Sequence, residues 1–123
     1  MFDEKWWGEL FACVDAKDTL RFLGYLHPDA LFRYGSAPPA IGHAAIGSAV
    51  GGFFASIRSS THRVGRCWHE HGSAICQGDV RYARDDGSEV TLPFCNILSV
   101  SGEKIARYEI YIDPTPLISP AAG

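Results

Sequence analysis

The sequence predicts an α+β fold in which helices come first and an antiparallel sheet follows. Two observations carry this. Apolar residues recur at helical spacing in the first half of the chain. From Thr61 to Asp113 the pattern changes to β-rich runs separated by His71-Gly72, Asp86-Gly87 and Ser101-Gly102. A dipeptide ending in glycine makes a tight hairpin turn, so these runs read as four strands in a meander. Helices segregated from an antiparallel sheet define the α+β class. A chain of 123 residues fits one domain over 1–123. The ordered part is expected over about 3–117, with 118–123 as a tail.

Each element has a local cause. Asp3 is placed to cap a helix beginning near Glu4, along which Trp6, Leu10, Cys13 and Val14 recur at helical spacing, as do Trp7 and Phe11. Asp18 caps a second, short helix carrying Leu20, Phe22, Leu23 and Leu26. His27-Pro28 ends it, because the residue before proline is pushed out of the α region. Ala30 to Gly35 reads as a short strand before the Pro38-Pro39 loop. His43 to Ile57 is a third helix with Ile46, Val50, Phe53, Phe54 and Ile57 on its apolar side.

Composition narrows the function classes. Eleven basic against 14 acidic residues give a net charge of −3, which argues against a nucleic-acid groove or a polybasic membrane patch. No run approaches the roughly 18 apolar residues of a membrane-spanning helix. The N-terminus, MFDEKWW, carries acids where a signal peptide carries bases, so a cytoplasmic protein is expected. Cys13, Cys67, Cys76 and Cys95 lack zinc-ligand spacing and read as small buried hydrophobes in a reducing compartment. His69 and His71 share a strand face but have no third ligand at a plausible spacing, so no metal site is expected.

Two-residue loops at all three turns would set Cys67 opposite Cys76, His62 opposite Arg81, Val80 opposite Pro93 and Cys95 opposite Tyr108. One sheet face would then carry Arg63, Cys67, Cys76, Gly78, Val80, Tyr82, Pro93, Cys95, Tyr108 and Ile110, and would pack on the helices. The other would carry Val64, Trp68, Asp79, Leu92, Phe94, Asn96, Glu109 and Tyr111, a mixture suited to a subunit interface.

The segments DALFRYGSAPPAIGHAAI, THRV, DGSEVTLPF and GEKIARYEIYIDPTPL, in that order and spacing, resemble the SnoaL-like branch of the nuclear-transport-factor-2-like superfamily. The resemblance runs from Leu10 to Leu117. It implies a strongly curved sheet wrapped around three N-terminal helices, a cone with a pocket at its open end, and a homodimer through the outer sheet face. It also supplies chemical tests. Against ketosteroid isomerases, the oxyanion tyrosine falls at Leu10, the catalytic aspartate at Tyr34 and the second oxyanion acid at Cys95 or Asn96. Against limonene epoxide hydrolases, the bridging arginine falls at Gly78, the two aspartates at Val80 and Ile110, and the water-holding pair at Phe32 and Tyr34. Neither carboxylate set is present. The SnoaL-type cyclase cue, an aspartate after the last strand, corresponds to Asp113.

Three candidate catalytic residues follow: Asp113 or His62 as the base and Tyr34 as a hydrogen-bond donor. Asp113 precedes a proline and equally suits a turn, and His62 equally suits a backbone carbonyl at a strand end. Phe32, Tyr34, Phe54, Tyr82, Cys95, Tyr108 and Ile110 are the candidate pocket wall, with Arg63 as an anchor for a ligand oxygen. The expected ligand is small, cyclic and mostly apolar, and the expected chemistry is proton transfer, cyclisation or isomerisation without metal or organic cofactor. The competing expectation is a plugged cone serving only subunit or partner contacts.

Overall fold

The computed structural model describes residues 2–118. Helices α1 (Glu4–Asp15), α2 (Thr19–Leu23) and α3 (His43–Ser56) lie against one curved, unclosed sheet, and a short α4 (Thr115–Ile118) ends the described chain. The strands are β1 (Leu26–Tyr34), β2 (Ala40–Ile41), β3 (Ser59–Glu70), β4 (Ser73–Ala83), β5 (Glu89–Ser101) and β6 (Lys104–Tyr111), in the spatial order β2-β1-β6-β5-β4-β3. The meander β3 to β6 is antiparallel throughout, and β1 joins it parallel to β6. The α+β class and the cone-type architecture are as the sequence implies. No described helix is long and apolar enough to cross a membrane.

Both aspartate caps are present: Asp3 Oδ1 accepts from Trp6 N at 2.9 Å and Asp18 Oδ1 from Arg21 N at 3.1 Å. α1 buries Trp7, Leu10, Phe11 and Cys13. The second helix stops at Leu23, earlier than expected, and Leu20 is exposed. Pro28 therefore lies inside β1 and not at a helix end. It falls between Leu26 and Leu31, where the pairing to β6 is interrupted and a missing N–H costs nothing. Leu117, at the end of the stretch expected to be ordered, is buried in α4; of the expected tail, Ile118 still belongs to that helix and residues 119–123 lie outside the described residues.

Departures from uniform two-residue loops reset the sheet faces. At His71-Gly72 both residues have positive φ (52° and 76°), the signature of a type I′ turn, and Cys67 does face Cys76. Gly65 is an extra residue between the pairs Val64–Gly78 and Arg66–Gln77. Beyond that bulge the parity of β3 changes, so His62 pairs with Val80 and not with Arg81, and Ser60, His62 and Val64 point inward. The second turn is longer than two residues. Arg84 N donates to Ser88 O and Gly87, with φ of 88°, closes the loop. Val80 consequently pairs with Leu92, and Leu92, Phe94, Asn96 and Leu98 form the inner face of β5 while Pro93 and Cys95 turn outward. The third loop is Gly102-Glu103, with a further irregularity after Ser99, so Cys95 meets Tyr111 and not Tyr108.

The bend that lets the sheet wrap has its own sequence cause. A Cβ on Gly65 would come within 2.8 Å of the Gln77 carbonyl oxygen, and one on Gly78 would overlap the Arg63 carbonyl. Only glycine allows β3 and β4 to approach this closely at the bulge.

Candidate functional site

The helices and the inner sheet face enclose a cavity of about 250 Å³. Its wall is largely aromatic and aliphatic, with Phe32 from β1, Val50, Phe53 and Phe54 from α3, Phe94 from β5 and Ile110 from β6. Polar groups enter it at a few points only: Ser60, His62, Tyr34, Tyr82, Asn96 and Tyr108. An apolar pocket with a few placed polar groups is the usual form of a small-molecule site.

The first polar group is a dyad. Asp15 ends α1, and its Oδ1 lies 2.6 Å from His62 Nδ1. Its Oδ2 accepts from the His62 backbone N–H at 2.9 Å, and Ser60 Oγ donates to Oδ1 at 2.9 Å. Burial pushes the Asp15 carboxyl up, but the His62 ring, the His62 backbone and Ser60 outweigh it and hold the pKa below the ordinary value. Asp15 is thus a carboxylate, and Nδ1 carries the proton that it accepts. In the neutral ring Nε2 then bears the free lone pair, and it takes no hydrogen bond among the described residues. The imidazole is stacked on Phe11 at 4.6 Å and meets the Phe94 ring edge-on at 5.5 Å, which fixes its plane. A carboxylate-oriented imidazole in an apolar cavity is the arrangement a general base requires.

The second group is a phenol pair. Tyr34 Oη and Tyr82 Oη, from β1 and β4, are 3.0 Å apart across the curved sheet. Burial raises both pKa values, for Tyr82 far above the ordinary phenol range, so both are protonated donors. Two protons serve one shared hydrogen bond, which leaves one O–H for a ligand oxygen. The third group is Asn96, whose Nδ2 donates to Tyr108 Oη at 3.3 Å.

Of the residues singled out from sequence, His62, Tyr34, Phe32, Phe54, Tyr82, Tyr108 and Ile110 all stand in this wall. Three do not. Arg63 is carried outward by the Gly65 bulge, leaving its side chain 79% exposed and paired with Asp79 at 2.7 Å. Cys95 is turned to the outer face by the longer second loop. Asp113 is exposed beyond β6, where its Oδ1 accepts from Thr115 N at 3.0 Å and Thr115 Oγ1 at 2.6 Å; those bonds hold its pKa low. It fixes the chain exit. Asp15, Ser60 and Asn96 were missed. Asp15 had one signal, an acid at the C-terminal end of a helix, where the macrodipole opposes it and some other partner must hold it.

A model of the SnoaL-like domain matches residues 7–108. Among curated proteins no sequence matches the chain. Solved structures match its fold closely at low identity. TerC, co-crystallised with polyporic acid, superposes with a TM-score of 0.78 at 18% identity, covering 89% of each chain. A nuclear-transport-factor-2-like protein of unknown function from Burkholderia pseudomallei reaches 0.83 at 15% identity, over 94% of this chain and 93% of that one. A candidate polyketide cyclase from Xanthomonas campestris pv. campestris reaches 0.80 at 18% identity, over 92% and 91%. At such identities the structures speak for the fold alone, but the domain match spans most of the sequence, and the protein belongs to the SnoaL-like domain family.

Proposed function

We propose that the protein binds a small, cyclic, mostly apolar molecule in its cavity and moves a proton on it, with His62 as the base. The observation that carries this reading is the Asp15–His62 dyad, whose imidazole lines a largely aromatic and aliphatic cavity. Family membership supports a ligand-binding or cyclase- or isomerase-type role. A volume of about 250 Å³ lies below the usual range of roughly 300–1,000 Å³ for drug-sized ligands, which favours one or two rings over a four-ring steroid.

In the proposed step, neutral His62 Nε2 takes a proton from a carbon next to a carbonyl. The C–H electron pair moves into the carbonyl to give an enolate, and the free O–H of the Tyr34–Tyr82 pair donates to its oxygen. The imidazolium that forms is stabilised by the Asp15 carboxylate, as in other carboxylate–histidine pairs. Return of the proton to the far carbon of a conjugated enolate completes an isomerisation; attack of the enolate carbon on a second carbonyl of the ligand, whose C=O π pair moves to oxygen and takes the proton back from His62, completes a ring closure. Asp113, exposed and committed to its turn, has no part.

The test needs no knowledge of the natural substrate. 2-Tetralone, a two-ring ketone, is incubated with the protein in D₂O and its α-deuterium content followed by mass spectrometry. Exchange above the buffer rate that is lost in His62→Gln and kept in Asp113→Asn is expected. Exchange at the buffer rate, or unchanged in His62→Gln, overturns the assignment. We also propose a homodimer through the outer sheet face, where Trp68 and Tyr111 stay 45% and 50% exposed, to be checked by light scattering.

A further inference from the structure

Asn96 is the anomaly of the cavity wall. Its residue is only 2% exposed, and its Oδ1 is one of two buried side-chain polar atoms without a hydrogen-bond partner among the described residues, the other being Trp7 Nε1. A buried carbonyl left unpaired is costly, and native proteins rarely keep one without a use for it. Leucine has almost the same shape and would remove the cost. Register explains how the amide reaches the cavity: the longer second loop puts Asn96 on the inner face, in one row across the sheet with Cys76 and Ile110.

The partner of Asn96 sharpens the chemistry. Tyr108 accepts from Asn96 Nδ2, so its own O–H proton is uncommitted, and burial raises its pKa far enough to keep that proton in place. The pair offers one free acceptor and one free donor side by side. Turning the amide over leaves the balance unchanged: Tyr108 then donates to Oδ1 and Nδ2 becomes the free group. A hydroxyl, which both donates and accepts, satisfies either arrangement. A ketone or an ether satisfies at most half of it.

Resting on the proposed ligand pocket, we infer that Asn96 and Tyr108 form a hydroxyl-reading subsite, so that the one- or two-ring carbonyl ligand also carries a phenol, enol or ring-alcohol hydroxyl. The subsite is separate from the proton-transfer dyad. Phe94, two residues before Asn96 on β5, stands against the His62 ring. In the proposed step His62 takes a carbon-bound proton, so the hydroxyl read by Asn96 serves to position the ring system.

The test compares 2-naphthol, 2-methoxynaphthalene and naphthalene as probes by isothermal titration calorimetry, on the full chain and on Asn96→Leu. Naphthalene and the ether are the more apolar, so burial alone would make them bind at least as well as the naphthol. If the subsite reads a hydroxyl, the naphthol binds about 10- to 100-fold more tightly than either. In Asn96→Leu that preference collapses to near unity while naphthalene binding is retained. The melting temperature of the unliganded variant is equal or higher, which a merely structural asparagine would not allow. Equal affinities of the three probes for the natural chain overturn the subsite and leave the pocket standing. A preference that survives in Asn96→Leu also overturns it. Failure of all three probes to bind overturns the subsite together with the pocket on which it rests. The natural-chain comparison decides even where Asn96→Leu does not fold.

Discussion

Asp15 and His62, 47 residues apart in the chain, meet through two contacts, Asp15 Oδ1 on the ring Nδ1 at 2.6 Å and Oδ2 on the His62 backbone N–H at 2.9 Å, and Oδ1 also accepts from the nearby Ser60 hydroxyl at 2.9 Å. The carboxylate is held at both oxygens, so it selects the tautomer and orientation of the ring and not merely its charge. In α-proton exchange of 2-tetralone, His62→Gln is expected to lose about 10²-fold or more, the usual contribution of a positioned base. Asp15→Asn keeps the shape but offers an amide that can present a donor to Nδ1, favouring the wrong tautomer. It is expected to lose at least about tenfold. Wild-type exchange in Asp15→Asn would show that the carboxylate only ties α1 to β3.

The same bonds make stability depend on pH. The Asp15 pKa is lowered in the folded chain from an ordinary 3.8, so the unfolded state binds a proton first as the solution is acidified. The stabilisation is complete well above 3.8 and is lost as pH falls below it toward the folded value. Denaturant midpoints measured from pH 6 down to pH 2 should drop below about pH 4. The drop should be shallower in Asp15→Asn, which has no proton to gain. Equal slopes in the two proteins would remove Asp15 from the acid transition.

Most of the frame was legible because local chemistry dictates it. Asp3 and Asp18 cap the two helices they were expected to cap, and the four-strand meander follows from its glycine turns. The faces of β4 and β6 were correct, which is why Tyr82, Tyr108 and Ile110 reached the cavity wall. Parity errors came from single residues. One extra residue at Gly65 moved His62 inward and Arg63 outward, and a longer loop at Asp86-Gly87 exchanged Cys95 for Asn96. The dyad was invisible for a different reason: it joins a helix end to a strand across the fold, and no spacing encodes such a contact.

Two glycines should respond to alanine with opposite signs. A Cβ at Gly78 would overlap the Arg63 carbonyl, a backbone atom that cannot swing away, and would crowd Phe94 at 3.1 Å. Gly78→Ala is expected to destabilise by about 2 kcal/mol or more, in the range of overpacked sites. Gly51 lies inside α3, and a Cβ there would meet nothing within 4 Å, so Gly51→Ala is expected to stabilise by about 0.5–1 kcal/mol. Chemical denaturation of the two variants checks both signs. A neutral Gly78→Ala would show that the bulge does not depend on that close approach.

The phenol pair should be worth about 1 kcal/mol, the usual net value of one buried hydrogen bond. Tyr34→Phe keeps the ring on Phe53, 5.0 Å away, and removes only the oxygen facing Tyr82. Its melting temperature should fall by several degrees, as about 1 kcal/mol does in a domain of this size. In 2-tetralone exchange it should also slow the reaction, because the donor to the enolate oxygen is weakened. A lower melting temperature with unchanged exchange would confine the pair to closing the sheet.

The Cys67–Cys76 pair is set for a disulfide by the turn that precedes it. In a type I′ hairpin the closing pair, Glu70–Ser73, is hydrogen-bonded, and pairs alternate from there. His69–Ala74 is then non-bonded, Trp68–Ile75 bonded, and Cys67–Cys76 non-bonded, the closer class of pair and the one compatible with a bridge. Both thiols are free. Burial, with Cys67 and Cys95 adding to it, pushes the Cys76 thiol up to about 12, so the partly exposed Cys67 reacts first. With glutathione disulfide as oxidant, the Cys67 thiolate attacks one sulfur and releases glutathione, and the Cys76 thiolate then displaces the second. The protein loses two hydrogens and the oxidant becomes two thiols. Intact mass and peptide mapping after such treatment should show the Cys67–Cys76 bridge, with Cys13 and Cys95 still open to alkylation under denaturing conditions. Stable mixed disulfides with glutathione in place of the bridge would show that the two sulfurs do not meet.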